Sequence, residues 1–159
     1  MNTNYLLPNR FKNIGWAIFI PFVVLGLIYL IREIQFSIFD WTVFAIFTDD
    51  GTLDFNIKYL SFIENNMTDE LIGCFIVIGG LMVAFSQEKI EDEFISRMRL
   101  ESLVWATFVN YGILILAILF VYETQFFHVM VINMFTILIL FIIRFNWMAR
   151  NSRKALSYE

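Results

Sequence analysis

Residues 102–122 read SLVWATFVNYGILILAILFVY and residues 124–143 read TQFFHVMVINMFTILILFII, and neither run contains a charged side chain. A helix rises about 1.5 Å per residue, so about 20 apolar residues cross the hydrocarbon core of a membrane, which is about 30 Å thick. Only Glu123 separates the two runs. They therefore predict two antiparallel transmembrane helices joined by a tight turn.

Two further uncharged runs precede this pair. Residues 14–31 form the first, and Pro21 inside it predicts a kink that a membrane helix tolerates when its neighbours satisfy the freed carbonyl. Residues 71–87 form the second and follow Thr-Asp-Glu at 68–70, residue types that stabilise a helix N-terminus. We therefore expect an all-α membrane protein, a four-transmembrane-helix bundle, as a single membrane domain over 1–159.

The composition agrees with membrane embedding. Of the 159 residues, 59% are hydrophobic, 18% are aromatic and only 16% are charged. A soluble domain of this size cannot bury so much apolar side chain, so part of it must face another apolar medium. The lipid bilayer is the first predicted partner.

The distribution of basic residues predicts the orientation. If the N-terminus is cytoplasmic, nine of the eleven Lys and Arg side chains lie inside and only Arg32 and Lys58 lie outside. Short loops with an excess of Lys and Arg stay in the cytoplasm. We therefore expect a multi-pass protein with cytoplasmic N- and C-termini. The nine inner residues are Arg10, Lys12, Lys89, Arg97, Arg99, Arg144, Arg150, Arg153 and Lys154.

The extracytoplasmic loop over 32–70 is too long and too apolar for a simple connector. Residues 40–47 (DWTVFAIF) are rich in aromatic and β-branched types, 49–51 (DDG) is a turn signal, and apolar and polar residues alternate over 53–59. These features predict a small extracytoplasmic β-hairpin. It is either a cap over the helices or a sensor of a ligand or partner.

On the cytoplasmic side, residues 87–101 (QEKIEDEFISRMRLE) have the pattern of an amphipathic helix. Ile90, Phe94 and Met98 recur at steps of four, and Arg97 follows a glutamate by four residues on the flank. We expect this cytoplasmic helix to dock a protein partner. The alternative is that the apolar side chains rest on the membrane interface while the charges are solvated.

Two asparagines lie near the middle of the last two runs. Asn110 and Asn133 are each about ten residues into a span, so antiparallel neighbours would bring them level. We expect them to hydrogen-bond between the helices, as amides commonly do in membranes. The alternative is that Asn110, Tyr111 and Asn133 line a polar pocket for a small molecule.

The same register predicts two more interhelical contacts. Thr107 falls opposite Thr136, and we expect their hydroxyl groups to bond across the helices. Glu101 and Arg144 fall near each other at the inner rim, where we expect an ion pair.

Several chemistries are excluded within one chain. Cys74 is the only cysteine and His128 the only histidine, so a disulfide, a cysteine zinc cluster and a bis-histidine haem each lack ligands. The uncharged runs contain no Asp, Glu, Lys or Arg in their interiors, which argues against a proton-coupled transporter. No paired carboxylates or activated nucleophile appear. We predict no catalytic residue, no metal site, no cofactor and no enzymatic activity.

The stretches FSQEKIEDEFISRMRLESLVWA at 85–106 and NMFTILILFIIRFN at 133–146 resemble a family of small uncharacterised bacterial four-helix integral membrane proteins. The resemblance implies the bacterial inner (cytoplasmic) membrane. Such proteins are often encoded beside helix-turn-helix regulators, which implies a transcription regulator as the partner and no direct contact with nucleic acid.

These observations predict a non-enzymatic inner-membrane regulatory or interaction protein that docks a cytoplasmic partner. The alternative is a small oligomeric transporter, a channel, or an accessory subunit of a membrane complex. That alternative needs a homo-oligomer, because four helices rarely enclose a polar path without charged lining.

Overall fold

The computed structural model describes residues 6–32, 37–49, 57–89 and 91–156. The fold is mostly helical, with one small antiparallel sheet. Its elements in chain order are α1 (Arg10–Arg32), a 3₁₀ turn (Ser37–Phe39), β1 (Asp40–Asp49), β2 (Ile57–Asn66), α2 (Thr68–Ala84), α3 (Glu93–Phe120) and α4 (Glu123–Leu156).

Among the described residues, three helices are long and apolar enough to cross a membrane, namely α1, α3 and α4. This is consistent with a membrane-embedded protein. Helix α2 is apolar but has only 17 residues. At 1.5 Å per residue it spans about 26 Å, somewhat less than the hydrocarbon core. The structure thus supports three of the four predicted crossings by length.

The cytoplasmic amphipathic helix predicted over 87–101 is wrong in its first half. The Asp92 carboxylate accepts a hydrogen bond of 2.8 Å from the Ile95 backbone N–H, so Asp92 caps a helix that begins at Glu93. An N-cap residue itself has extended backbone and stops the helix there. Residues 93–101 are therefore the first turns of α3, so the second half of the predicted helix is present and, as expected, runs into the third helix.

The tight turn predicted between the last two helices is confirmed. Helix α3 ends at Phe120, and the Val121 backbone N–H donates to the Ala117 carbonyl at 2.9 Å. The Tyr122 hydroxyl donates to the Leu119 carbonyl at 2.6 Å. Glu123, with a φ of 60°, reverses the chain and begins α4.

The chain divides into two compact units. We call Met1–Pro21 with Phe75–Glu159 the helical unit, and Phe22–Cys74 the hairpin unit. The prediction of a single membrane domain stays a prediction. The most deeply buried large side chains belong to the helical unit and are Phe141, Phe145, Ile142 and Val83.

The predicted β-hairpin is present, with β1 and β2 antiparallel and Asp40 opposite Asn66. Its second strand extends well beyond the alternating pattern of 53–59, and residues 50–56 lie outside the described part of the chain. Leu60 has a φ of 52°, a left-handed conformation that interrupts regular pairing at that point.

The hairpin is joined to α2 by side-chain hydrogen bonds at its open end. The Asn66 side-chain oxygen accepts from the Thr68 backbone N–H at 3.1 Å, and its amide donates to Asp40 at 2.5 Å. Asn66 thereby satisfies one of the unpaired N–H groups in the first turn of α2. Asn66 therefore links the end of the strand pair to the first turn of α2.

Candidate functional site

The helical unit gathers four chain segments at one end. These are residues 7–16, the connection 85–92 after α2, the first turns of α3, and the last turns of α4; we call this region the charged end. Leu7 forms a parallel bridge with Ser86, through a bond of 2.9 Å to the Phe85 carbonyl and one of 2.8 Å from the Gln87 N–H.

Two ion pairs hold the charged end together. Arg99 binds Glu91 with both of its terminal nitrogens, at 2.8 and 3.2 Å, and also donates to the Ser86 carbonyl at 3.3 Å. Lys12 of α1 pairs with Glu88. Arg99 is only 8% exposed and Glu88 only 6%. Because removing one partner would leave a buried charge, each pair constrains the segments it joins.

A phenylalanine lies beside both cations. The ring centroid of Phe145 is 4.9 Å from the Arg99 guanidinium carbon and 5.8 Å from the Lys12 ammonium nitrogen. The ring is 1% exposed and stacks on Phe141 with 6.0 Å between centroids. Cation–π attraction of this kind strengthens when the groups are desolvated. The charges of α1 and α3 thus meet on one side chain of α4.

The sequence interpretation missed this network. Neither the docking helix predicted over 87–101 nor its alternative pairs Arg99 with Glu91, and Lys12 enters the sequence argument only through the orientation. The available signal was the unusual density of acidic and basic residues at 88–93 immediately after an apolar run.

A cavity of about 450 Å³ lies between the first turns of α3 and the last turns of α4. We call it the α3–α4 groove. Apolar atoms form most of its lining surface, and four of its seven residues carry polar or charged side chains. Its residues are Phe94, Arg97, Met98, Glu101, Met148, Asn151 and Ser152.

The groove contains three of the four residues predicted to bind a partner. Phe94 is 57% exposed, and Arg97 is exposed and paired with Glu93 at 3.2 Å. Met98 is only 4% exposed, because it packs towards α4, and so it is not the surface contact that its spacing suggested. Ile90 lies outside the described residues.

A second cavity, of about 290 Å³, lies at the same end and is mainly polar. We call it the basic cavity. It is lined by Asn9, Lys12, Asn13, Trp16, Glu88, Lys89, Asn146, Ala149 and Arg150.

The two mid-span asparagines meet as their register predicts. Each amide nitrogen lies 3.3 Å from the side-chain oxygen of the other residue, so Asn110 and Asn133 form a reciprocal pair between α3 and α4. Asn110 is buried. Tyr111 is exposed on α3, and it does not share this buried position.

The threonines do not bond across the helices, contrary to expectation. Thr107 donates to the Leu103 carbonyl at 2.9 Å and Thr136 to the Ile132 carbonyl at 3.0 Å. A threonine hydroxyl reaches the carbonyl four residues earlier in its own helix, so it needs no partner on the next one.

The predicted rim ion pair is also absent. No salt bridge joins Glu101 to Arg144, although the structure describes both residues. The Arg144 guanidinium instead lies 4.6 Å from the ring centroid of Trp105, and its buried Nε has no hydrogen-bond partner among the described residues. A planar guanidinium stacks well on an indole, which here replaces the carboxylate.

At the other end of α2, in the hairpin unit, lies an acidic pair. Glu70 accepts a hydrogen bond of 2.7 Å from the Asn65 amide. Burial, together with the neighbouring Asp69, raises the pKa of Glu70 above its ordinary value. His128 is exposed, and its Nδ1 is 3.0 Å from the Thr124 carbonyl within its own helix.

In the part of the chain that the structure describes, no group of three or more His, Cys, Asp or Glu side chains is placed to hold a metal ion. Comparisons with protein-family models, with curated proteins and with solved structures find no match to this chain. Among the described residues, the charged end with its two cavities is the candidate functional site.

Proposed function

We propose that this chain is a non-enzymatic regulatory or interaction protein of the bacterial inner membrane. It crosses the bilayer four times, keeps both termini in the cytoplasm, and docks a cytoplasmic protein in the α3–α4 groove. The observation that carries the proposal is the groove itself, an apolar cavity that opens at the end of the molecule where basic side chains collect.

Contacts near the charged end support a crossing by α2. Lys12, near the start of α1, pairs with Glu88, which follows the end of α2. Helices α1 and α2 are therefore antiparallel there. The helical bonding of α2 also continues one residue further, because the Phe85 N–H donates to the Leu81 carbonyl at 2.9 Å. An apolar helix of this length crosses if the bilayer thins slightly around it.

The charge distribution supports the cytoplasmic assignment of the charged end. Basic side chains from all three long helices and from the connection after α2 contribute to its ion pairs and cavities. Segments enriched in Lys and Arg remain on the cytoplasmic side of a bacterial inner membrane. The α3–α4 groove then faces the cytoplasm.

The lining of the groove favours an amphipathic helix of the partner as its occupant. Phe94 supplies an exposed aromatic side chain, and the half-buried Met148 supplies a flexible, polarisable one that adapts to an inserted apolar residue. Arg97 and Asn151, which also line the groove, can hydrogen-bond the polar flank of such a helix. We assign this helix to a transcription regulator held at the membrane.

Replacing Phe94 tests the groove. In the full-length protein, Phe94→Ser removes most of an apolar contact that contributes about 1.5–3 kcal/mol, so we expect partner co-purification to fall about tenfold or more. Leu100→Ser is the matched control, because Leu100 is 63% exposed on the same helix but does not line the groove.

A photoreactive residue at position 94 identifies the occupant. Mass spectrometry should find its crosslink on an amphipathic helix of a cytoplasmic protein, and a residue at position 100 should not form that crosslink. Crosslinks from position 94 only to lipid or to a second copy of the chain, or undiminished co-purification with Phe94→Ser, would contradict the docking proposal.

A further inference from the structure

The basic cavity is assembled from three separate segments of the helical unit. Asn9 immediately precedes α1, and Lys12, Asn13 and Trp16 come from its first turns, where Trp16 follows the other two by four and three residues. Glu88 and Lys89 come from the connection after α2, and Asn146, Ala149 and Arg150 come from one face of α4.

The cavity carries a surplus of positive charge. Lys12, Lys89 and Arg150 contribute three cations, and Glu88 contributes one carboxylate, which is paired with Lys12. The surplus is therefore two charges, three minus one. Lys89 and Arg150 are both exposed, so their charged groups are accessible to a ligand. A concave site with this balance attracts an anion.

The neutral side chains add hydrogen-bond donors. The Asn146 amide donates to the Ile142 carbonyl at 2.8 Å, and the Asn9 amide to the Gln87 carbonyl at 2.5 Å. Each amide nitrogen carries two hydrogens, so each retains one after these bonds are made. The bonds also orient the amides. Fixed N–H donors beside cations are the groups that bind phosphate oxygens.

The position of the cavity selects among phosphate sources. It lies where the apolar run of α1 begins and that of α4 ends, and Trp16 in its lining is a residue type that anchors helices at the headgroup level. Basic pockets between helices at this depth bind anionic lipid headgroups. The cavity volume of about 290 Å³ leaves room for more than a single water molecule.

We propose that the basic cavity binds the phosphate headgroup of an anionic phospholipid of the cytoplasmic leaflet. The site is separate from the α3–α4 groove and does not depend on the docked partner. The leaflet assignment rests on the proposed orientation. The cations of the cavity come from three separate segments, so no single run of basic residues in the sequence marks the site. Only the fold brings Lys12, Lys89 and Arg150 together.

Titration of the full-length protein in detergent, read by native mass spectrometry, tests the site. We expect phosphatidylglycerol to bind more tightly than phosphatidylcholine. Lys89→Gln and Arg150→Gln should each lower its affinity about fivefold, as expected for one basic residue at a membrane surface, and the double variant about 25-fold. Arg150→Lys should retain most of the affinity, since it keeps the charge.

Arg97→Gln is the charge-matched control, because Arg97 lies at the same end but outside the cavity. It should leave lipid affinity unchanged. An equal loss with Arg97→Gln, or equal binding of the two lipids, would overturn the proposal. Binding of inorganic phosphate or glycerol phosphate as tight as that of the lipid would also overturn it and assign the cavity to a soluble anion.

Partner co-purification separates this proposal from the docking proposal. Lys89→Gln and Arg150→Gln should retain the partner that Phe94→Ser loses. Phe94→Ser should in turn retain selective binding of phosphatidylglycerol, so that either proposal can fail alone.

Discussion

At the scale of single residues, the polar side chains within the long apolar helices differ in whether they link one helix to another. A threonine hydroxyl can donate a hydrogen bond to the backbone carbonyl one turn earlier in its own helix, as Thr107 does to Leu103 at 2.9 Å. A carboxamide has both donors and an acceptor to satisfy. Asn110 and Asn133 do so on each other, through two bonds of 3.3 Å. The asparagines, not the threonines, therefore couple α3 to α4.

The first prediction concerns this coupling. Asn110→Leu and Asn133→Leu should each lower the free energy of unfolding by about 0.6–2 kcal/mol, because each leaves the remaining amide without its partner in an apolar setting. The double variant should lose less than the sum of the two single losses. Unfolding by SDS titration in mixed micelles measures all three values.

Thr107→Ala with Thr136→Ala is the control cycle. Since each hydroxyl bonds its own helix, the two losses should add without coupling. A coupling energy near zero for the asparagine pair would show that its reciprocal bonds contribute nothing to stability.

At the scale of elements, glycines set the closest approach of α1 to α2. A Cβ added at Gly79 would lie 2.9 Å from the backbone nitrogen of Phe19, and one added at Gly15 would lie 2.9 Å from that of Val83. Backbone atoms cannot move aside as a flexible side chain can. The two helices therefore pack in a way that only glycine permits at these positions.

The second prediction follows from this crossing. Gly79→Ala should destabilise the protein by about 1–3 kcal/mol, since the new methyl group forces the two backbones apart. Gly112→Ala on α3 is the matched control, because nothing lies within 4 Å of a Cβ placed there. That variant should be neutral or stabilising by up to about 1 kcal/mol.

Unfolding in mixed micelles, with helix content followed by circular dichroism, measures both glycine variants. Equal stability of Gly79→Ala and Gly112→Ala would mean that α1 and α2 do not approach as closely as described.

At the scale of the whole molecule, the charged end joins elements that are far apart in sequence. Residues near the start of α1 meet the connection after α2, and Arg99 of α3 binds that connection while its guanidinium lies over Phe145 of α4. Both cavities are lined by residues of this end of the helical unit. Because its ion pairs are largely buried, the network favours one arrangement of the four helix ends.

The third prediction tests the orientation of the whole molecule. In a Cys74→Ser background, single cysteines are introduced at Glu64 of β2 and Asn151 of α4, both of which are exposed. A membrane-impermeant maleimide should label Glu64→Cys in intact spheroplasts. It should label Asn151→Cys only after the membrane is permeabilised, because the proposed orientation places that positively charged end in the cytoplasm.

Cys74→Ser alone is the unlabelled control. Labelling of Asn151→Cys but not of Glu64→Cys in intact spheroplasts would reverse the proposed orientation. Labelling of both would place them on the same side of the membrane and contradict the three crossings proposed between them.

Local chemistry explains which features the sequence predicted. Long uncharged runs identified α1, α3 and α4, because apolar length and helix rise decide whether a segment can span a membrane. Alternation of residue types predicted the hairpin. Helix register alone predicted that Asn110 and Asn133 lie side by side. The turn between the two helices has only two residues, so it leaves little freedom for one helix to shift along the other.

Tertiary structure decided the candidate site. The sequence predicted a docking helix over 87–101, yet the Asp92 cap begins the helix later and Arg99 binds back to Glu91 across the connection. The Arg144 guanidinium lies over the Trp105 indole instead of pairing with Glu101. Spacing along one helix shows which residues share a face, but not what packs against that face. The four-helix expectation thus came from apolar length, whereas the ion-pair network and the two cavities exist only because distant charges and amides fold together at one end.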